Sequence, residues 1–156
     1  MLPFLEIRQN PLHSYIQNAV PQFNRLSDMF EKFHELVHGG FGSKSYENFH
    51  VSVGELEKTK YQKSFEVDYL DRTARFSLAS SMTEGYAVLT RVRCDMKSGL
   101  QPGNWISIGG FAFSRDGQTD LVNPEYKDEK LDITHPLMSM HIVMVYMLLA
   151  MRTVEE

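Results

Sequence analysis

Cysteine is scarce in this chain, because Cys94 is the only one among 156 residues. An intrachain disulfide needs two cysteines and is therefore excluded. Cys94 lies in a strand-like run on the same side as Val88 and Val92, which favours a buried and unreactive thiol. A chain of this length buries roughly 70% of its unfolded surface and can form a core without disulfides. We expect residues 1–156 to fold as a single domain.

The chain also lacks a strong excess of charge of one sign. Sixteen Lys and Arg stand against 20 Asp and Glu, giving a net charge of −4. Proteins that bind nucleic acids usually carry a basic patch, so this mild acidity argues against a nucleic-acid partner. Hydrophobic residues make up 42% and charged residues 23%, a globular composition that excludes disordered and collagen-like chains.

Long apolar runs are missing as well. The longest, residues 137–151, is shorter than the ~20 residues that a membrane-spanning helix needs, and it contains Ser139 and His141. It predicts a buried helix and no membrane partner. Residues 1–10 have neither a basic start nor a long apolar core, so we expect no signal peptide and a cytoplasmic location.

Two N-terminal helical segments are predicted. Pro11, preceded by the capping residue Asn10, suits the first position of a helix, and Pro21 ends or kinks this segment. A second segment starts at Pro21, because apolar residues recur at helical spacing with polar residues opposite them. The Gly39–Gly40 pair is a natural stop. The apolar stripe of the second segment comprises Phe23, Leu26, Phe30, Phe33 and Val37.

After Gly42 the apolar period changes to two, which is typical of strands. Turn signals separate the runs, and Asp116–Gly117 is the strongest hairpin signal among them. Short turns favour antiparallel neighbours, so the sequence predicts an antiparallel meander of five or six strands. Residues 123–132 are polar and predict an exposed connection. The predicted strands are Phe49–Val53, Tyr61–Tyr69, Arg75–Met82, Tyr86–Cys94, Trp105–Phe113 and Thr119–Val122, with a short edge strand at Leu5–Ile7.

The last predicted element is a helix that starts near Asp132 or Thr134, ends near Thr153, and is apolar around nearly its whole circumference. Such a helix must be enclosed on nearly all sides. One flat sheet covers a single side, so the other faces need a curved sheet, the N-terminal helices or a second copy of the chain. A narrow methionine stripe favours core filling over an adaptable binding surface. It consists of Met140, Met144, Met147 and Met151.

The predicted fold class is α+β, because helices and strands are segregated along the chain. Two helical segments precede the antiparallel meander, and the apolar C-terminal helix packs in the concave sheet face or at a dimer interface. This order of elements resembles that of helix-grip folds, in which a bent sheet wraps a C-terminal helix. The long amphipathic N-terminal helix departs from that pattern. Likeness of element order carries no function.

One motif has the spacing of a metal site. His34, Glu35 and His38 form an H-E-x-x-H sequence on a predicted helix. Histidines four residues apart share a helix face and can bind one Zn²⁺, while the intervening Glu polarises a metal-bound water. This is the chemistry of a zinc-dependent hydrolase. Catalytic zinc needs a third protein ligand, for which Glu55 and Glu57 are the nearest candidates downstream.

A structural interpretation of the same motif is favoured. The extended form of the motif fails, because Phe41 stands where Gly is required and Lys44 where His is required. His34 borders the apolar stripe, and His38 lies in the last helical turn, where a histidine favours the helix dipole. Both histidines are then explained without a metal. The sequence therefore predicts no cofactor, and zinc belongs to the alternative only.

The favoured function is a small non-catalytic binding protein. The sheet and the terminal helix are expected to enclose a mixed apolar and aromatic interior. A small apolar ligand, a protein partner or a second subunit would complete its burial, and homodimer formation is the commoner outcome. The remaining alternative is a partner-masking immunity or chaperone-like protein with an acidic surface. The predicted ligand-binding residues are Tyr69, Trp105, Phe111, Phe113, Met140 and Met144.

Overall fold

The computed structural model describes residues 11–59, 62–85, 87–98, 104–122 and 129–152, and within them the predicted α+β class is confirmed. A long helix comes first, an antiparallel sheet follows, and a second helix ends the fold. The predicted edge strand at Leu5–Ile7 lies outside these residues. The helices are α1 (Pro11–Phe41), a 3-10 helix (Lys44–Phe49) and α2 (Pro136–Arg152). The strands are β1 (Val51–Val53), β2 (Glu57–Lys58), β3 (Lys63–Tyr69), β4 (Arg72–Met82), β5 (Val88–Ser98), β6 (Ile106–Phe113), β7 (Gln118–Val122) and β8 (Lys130–Asp132).

Helix α1 is continuous over 31 residues, so the prediction of two N-terminal helical segments is wrong. Pro21 lies inside the helix at an exposed position, where water can satisfy the carbonyl that proline leaves without a donor. The Gly39–Gly40 pair does not stop the helix either, since the helix runs on to Phe41. The predicted stripe is largely buried. It contributes Leu26, Phe30, Phe33 and Val37 to the core, whereas Phe23 is half-buried. Phe41, outside the predicted stripe, is also buried.

The strands pair in the order β1-β3-β4-β5-β6-β7-β8, and β2 also pairs with β3. The described residues thus form eight strands where the sequence predicted five or six. Phe49 belongs to the 3-10 helix, and the chain beyond it supplies two short strands, β1 and β2, beside β3. Strand β8 lies in the stretch predicted to be an exposed connection. Its central residue, Leu131, is 4% exposed, and one buried residue among polar ones gives too weak a pattern to predict a strand.

Both helices pack against the sheet, and an aromatic core fills the space between them. Phe33 of α1 makes edge contacts with Phe65, Phe76 and Phe111 at ring-centroid distances of 5.7, 6.2 and 6.0 Å. Tyr146 of α2 meets Phe76 at 5.9 Å. The core therefore joins α1, α2 and strands β3, β4 and β6.

Helix α2 is covered on one side only by the described chain. Its buried residues are Ser139, Met140, Ile142, Val143, Tyr146, Met147 and Ala150. Leu137 and Leu148 remain 61% and 58% exposed. The expectation that α2 is enclosed on nearly all sides is therefore wrong for a single chain, because the sheet and α1 reach only part of its circumference. No helix in the described part of the chain has the length and apolarity needed to cross a membrane.

Candidate functional site

The first histidine of the H-E-x-x-H sequence is a structural residue. His34 is 8% exposed, and its ring packs against Phe65 at a centroid distance of 4.9 Å. Its Nε2 atom lies 2.8 Å from the carbonyl oxygen of Gly54. A carbonyl only accepts hydrogen bonds, so Nε2 must carry the proton and donate. A protonated nitrogen engaged in this way is not available to a metal.

The other two motif residues, Glu35 and His38, lie at the protein surface. Nε2 of His38 lies 3.4 Å from a carboxylate oxygen of Glu55, one of the two predicted third ligands. Glu35 has a side chain that is 72% exposed and lies 3.6 Å from Lys32. Across the described ranges, no three His, Cys, Asp or Glu side chains are placed to hold a metal ion. The motif instead attaches the segment around Gly54 to α1.

A second contact fastens the same region. The Glu31 carboxylate accepts hydrogen bonds from Lys58 and Lys63, each at 2.9 Å. These hydrogen bonds, first Lys63 and then Lys58, lower the pKa of the Glu31 carboxyl below its usual value. The pair holds β2 and β3 against α1, beside the His34 contact. The residues around the motif thus attach strands β2 and β3 to helix α1.

The six predicted ligand-binding residues fall into three places. Phe111, Phe113 and Met140 are core residues with exposures of 0, 5 and 3%. Tyr69 and Met144 are half-buried and line one groove together. The sixth residue, Trp105, lies elsewhere, so the sequence-predicted interior is not one site.

Trp105 packs on the sheet face opposite the helices. The Arg75 guanidinium lies 4.0 Å and the Lys97 ammonium 4.9 Å from its ring centroid. Arg75 alternates along β4 with the buried residues Ala74 and Phe76, so it faces away from the core. The contacts with these two cations explain the position of Trp105, which does not line the protein interior.

The groove shared by Tyr69 and Met144 has a volume of about 330 Å³ and a mainly apolar lining. It runs between the end of the 3-10 helix, strands β1 and β3, and the C-terminal half of α2. Such a surface suits an apolar side chain or ligand better than a charged one. The lining residues are Asn48, Phe49, Val51, Tyr69, Met144, Met147 and Leu148.

The groove continues into an exposed stripe along α2. Leu137, His141, Met144 and Leu148 follow one another at spacings of four, three and four residues on the less covered side of the helix, and Val145 lies next to Met144. Leu137 and Leu148 are exposed, and the other three residues are half-buried. The β3–β4 turn lies at the C-terminal end of this stripe, because Nε of Arg72 donates to the carbonyl oxygen of Ala150 at 3.2 Å. We call this stripe, together with Phe49, Tyr69 and Leu70, the α2 surface.

The nucleophiles nearest the core are poorly placed for catalysis. Burial, with a smaller contribution from Asp95, raises the pKa of the Cys94 thiol far above its usual range. Burial likewise raises the pKa of Tyr146 to about 12. The Thr90 hydroxyl is buried and donates to the carbonyl oxygen of Phe113 at 3.1 Å. These three groups contribute to the packing and hydrogen bonding of the core.

The sequence reasoning missed Phe49, Leu70 and Leu148 as surface residues of interest. Phe49 fits the period-two pattern of a strand, and Leu70 adopts a left-handed backbone conformation (φ 55°) that apolar periodicity does not predict. The signal that could have found Leu148 was the surplus of apolar residues around α2. Comparisons with family models, curated proteins and solved structures find no match for this chain.

Proposed function

We propose that this protein is a non-catalytic binding protein that acts as a homodimer, with the α2 surface as its interface. The observation that carries the proposal is the uncovered side of α2. A helix in a monomer normally turns its polar side to water. Here the outer side of α2 presents the exposed Leu137 and Leu148 and the half-buried Met144 and Val145, with His141 as the polar residue among them.

The exposed apolar area is large enough to support an interface. Leu137, Leu148, Phe49 and Leu70 expose 61, 58, 43 and 69% of their surface. At about 200 Å² for a large side chain, these four residues present roughly 450 Å². That is more than half of the ~800 Å² that each partner contributes to an interface of standard size. Half-buried neighbours such as Tyr69 and Met144 add to it.

The charge of the α2 surface favours a second copy over an unlike partner. In a two-fold symmetric interface the same patch meets itself, so a charged patch would place like charges together. The α2 surface contains no Asp, Glu, Lys or Arg among its defining residues. A neutral apolar stripe can pair with itself without repulsion between like charges. The net charge of −4 on the whole chain makes association of two copies through other faces less favourable.

The proposal of a non-catalytic role rests on where the reactive groups lie. His34 is held by the Gly54 carbonyl, Cys94 is buried, and Glu35 points to solvent. The contact between His38 and Glu55 is the one feature in line with the zinc hydrolase alternative, but no group of three ligands forms among the described residues. A cytoplasmic location stays a prediction.

Light scattering coupled to size-exclusion chromatography tests the homodimer. The wild-type chain is expected to elute at twice its mass of 18.0 kDa. Leu148→Glu introduces two facing carboxylates at the interface and is expected to give a folded monomer. Leu148 is 58% exposed, so the substitution should cost little stability in one chain.

Ile16→Glu is the matched control. Ile16 is a helix residue with 67% exposure that lies on α1, away from the α2 surface. It is expected to leave the dimer intact. A monomeric wild type, or a dimer that Ile16→Glu dissociates and Leu148→Glu does not, would overturn the proposal.

A further inference from the structure

A second cleft, separate from the α2 surface, opens where the sheet divides. Strands β6 and β7 pair at one position in the described residues, Phe113 opposite Thr119. On its other edge β7 pairs with β8, at Gln118 opposite Asp132 and at Val122 opposite Lys130. The gap is roofed by residues 22–26 of α1 and has a volume of about 580 Å³, within the range of small-molecule sites.

The floor of this cleft is apolar. Leu26 and Phe113 are each 5% exposed and belong to the core, and Val88 is half-buried beside them. Leu89 is 48% exposed at the mouth. An aromatic or aliphatic body entering the cleft would therefore meet a preformed apolar wall, and its burial would favour binding.

The rim of the cleft is cationic. Arg25 from α1, Arg115 from the β6–β7 turn and Lys130 from β8 all line it. None of the ion pairs formed among the described residues involves any of the three. Three cations from separate elements thus converge on one cleft of a chain whose net charge is −4.

The nearby carboxylates are engaged with other groups. Asp120 also lines the cleft, and its Oδ1 atom accepts a hydrogen bond from the Ala112 amide at 3.0 Å. Asp116, next to Arg115 in the chain, accepts from the Ser114 hydroxyl and from the Gln118 amide. These hydrogen bonds, and to a smaller extent the charge of Arg115, lower the pKa of the Asp116 carboxyl, so it stays ionised beside Arg115. Three cations stand against one carboxylate among the lining residues, so the lining has a net charge of +2, and the carboxylate of Asp116 lies just outside it.

We propose that this cleft binds a small organic anion, with its apolar body on Leu26 and Phe113 and its anionic group among Arg25, Arg115 and Lys130. Hydrogen bonds between guanidinium or ammonium groups and a carboxylate, sulfonate or phosphate are stronger than neutral ones. The apolar floor adds affinity that an inorganic anion could not gain. The inference does not depend on the homodimer, because the two surfaces share no residue.

Two fluorescent probes that differ in one group test the proposal. 8-Anilinonaphthalene-1-sulfonate has the anilinonaphthalene body with a sulfonate, and N-phenyl-1-naphthylamine has the same body without it. Fluorescence titration of wild type is expected to show saturable binding of the sulfonate. In the Arg25→Gln, Arg115→Gln double variant its Kd is expected to rise about tenfold or more. The Kd of the neutral probe should change less than about twofold.

Arg93→Gln is the control for loss of a positive charge. Arg93 has a side chain that is 62% exposed and lies outside the cleft, so the affinity for neither probe should change. Circular dichroism confirms that each variant is folded. An unchanged Kd in the double variant, or an equal rise of the sulfonate Kd in Arg93→Gln, would overturn the assignment of the anion site to this cleft.

Discussion

The Nε2 atom of His34 donates a hydrogen bond to the carbonyl oxygen of Gly54 at 2.8 Å. The Gly54 amide in turn donates to the carbonyl oxygen of Glu66 at 2.8 Å. The imidazole on α1 is thereby connected through one residue to strand β3. A motif with the spacing of a zinc site is in this way used to fasten a strand segment to a helix.

His34→Ala is expected to lower the free energy of unfolding by about 2–4 kcal/mol, because it opens a cavity beside Phe65 and leaves the Gly54 carbonyl without its donor. Urea denaturation measures the change. Glu35→Ala, at an exposed position, should cost no more than about 0.5 kcal/mol. Added Zn²⁺ should leave the melting temperature of wild type unchanged. A zinc-dependent rise that His34→Ala abolishes would instead support the hydrolase alternative.

Glu31 is expected to make stability depend on pH. Lys63 and Lys58 lower the pKa of its carboxyl in the folded state, whereas the unfolded chain keeps the usual value of 4.5. The folded state then binds this proton less tightly than the unfolded state does. The stabilisation is fully present above the unfolded pKa and is lost as the pH falls through the lowered folded pKa.

The measurement compares wild type with Glu31→Gln in urea at several pH values. The variant should be less stable by roughly 1 kcal/mol near neutral pH, and the difference should shrink below about pH 4.5. Glu35→Gln, which removes a much more exposed carboxylate, should show little of this dependence. A difference that stays constant down to about pH 2 would contradict the prediction.

Substitution by alanine is expected to lower the free energy of unfolding at Gly110 and to raise it at Gly39. A methyl group at Gly110 would overlap the Val92 carbonyl oxygen on the neighbouring strand, and backbone cannot move aside cheaply. Gly110→Ala should therefore lower the free energy of unfolding by about 1–3 kcal/mol. A methyl group at Gly39 meets nothing within 4 Å, and alanine favours helix, so Gly39→Ala should raise it by about 0.5–1 kcal/mol. Thermal denaturation of both variants shows whether each substitution raises or lowers the stability of the protein.

Cys94 is expected to be unreactive in the folded protein. Its side chain is buried, and burial raises its thiol pKa, so very little thiolate is present at neutral pH. Ellman's reagent should react with it slowly in buffer and fully in guanidinium chloride. Rapid reaction under native conditions would show that strand β5 is more accessible than the structure indicates.

Where local pattern and tertiary packing agree, the sequence predicted the fold. The stripe from Leu26 to Val37 is buried as its helical period indicates, and β3 alternates between core and solvent. The hairpin at Asp116–Gly117 forms, with Gly117 at φ 88°. These features depend on neighbours in the chain, which is why periodicity and turn chemistry suffice to predict them.

The predicted site was less successful, because a residue's type does not fix the neighbours it will meet. Phe111 and Trp105 lie in the same apolar run, yet one enters the core and the other stacks with Arg75 and Lys97 on the opposite sheet face. Glu55 does come close to His38, as a third ligand would. The Nε2 atom of His34 nevertheless donates to the Gly54 carbonyl, and no third ligand joins the two histidines among the described residues.

By itself the sequence determined that α1 is amphipathic, that α2 is apolar on all sides and that the chain between them alternates as strands, since these are properties of residue order. Tertiary structure alone decided that Pro21 stays within a helix, that β7 leaves β6 to open a cationic cleft, and that one side of α2 stays uncovered. Such outcomes depend on which distant surfaces meet and how much of each they cover. The local periodicity of the sequence does not indicate which distant surfaces meet or how much of each is covered.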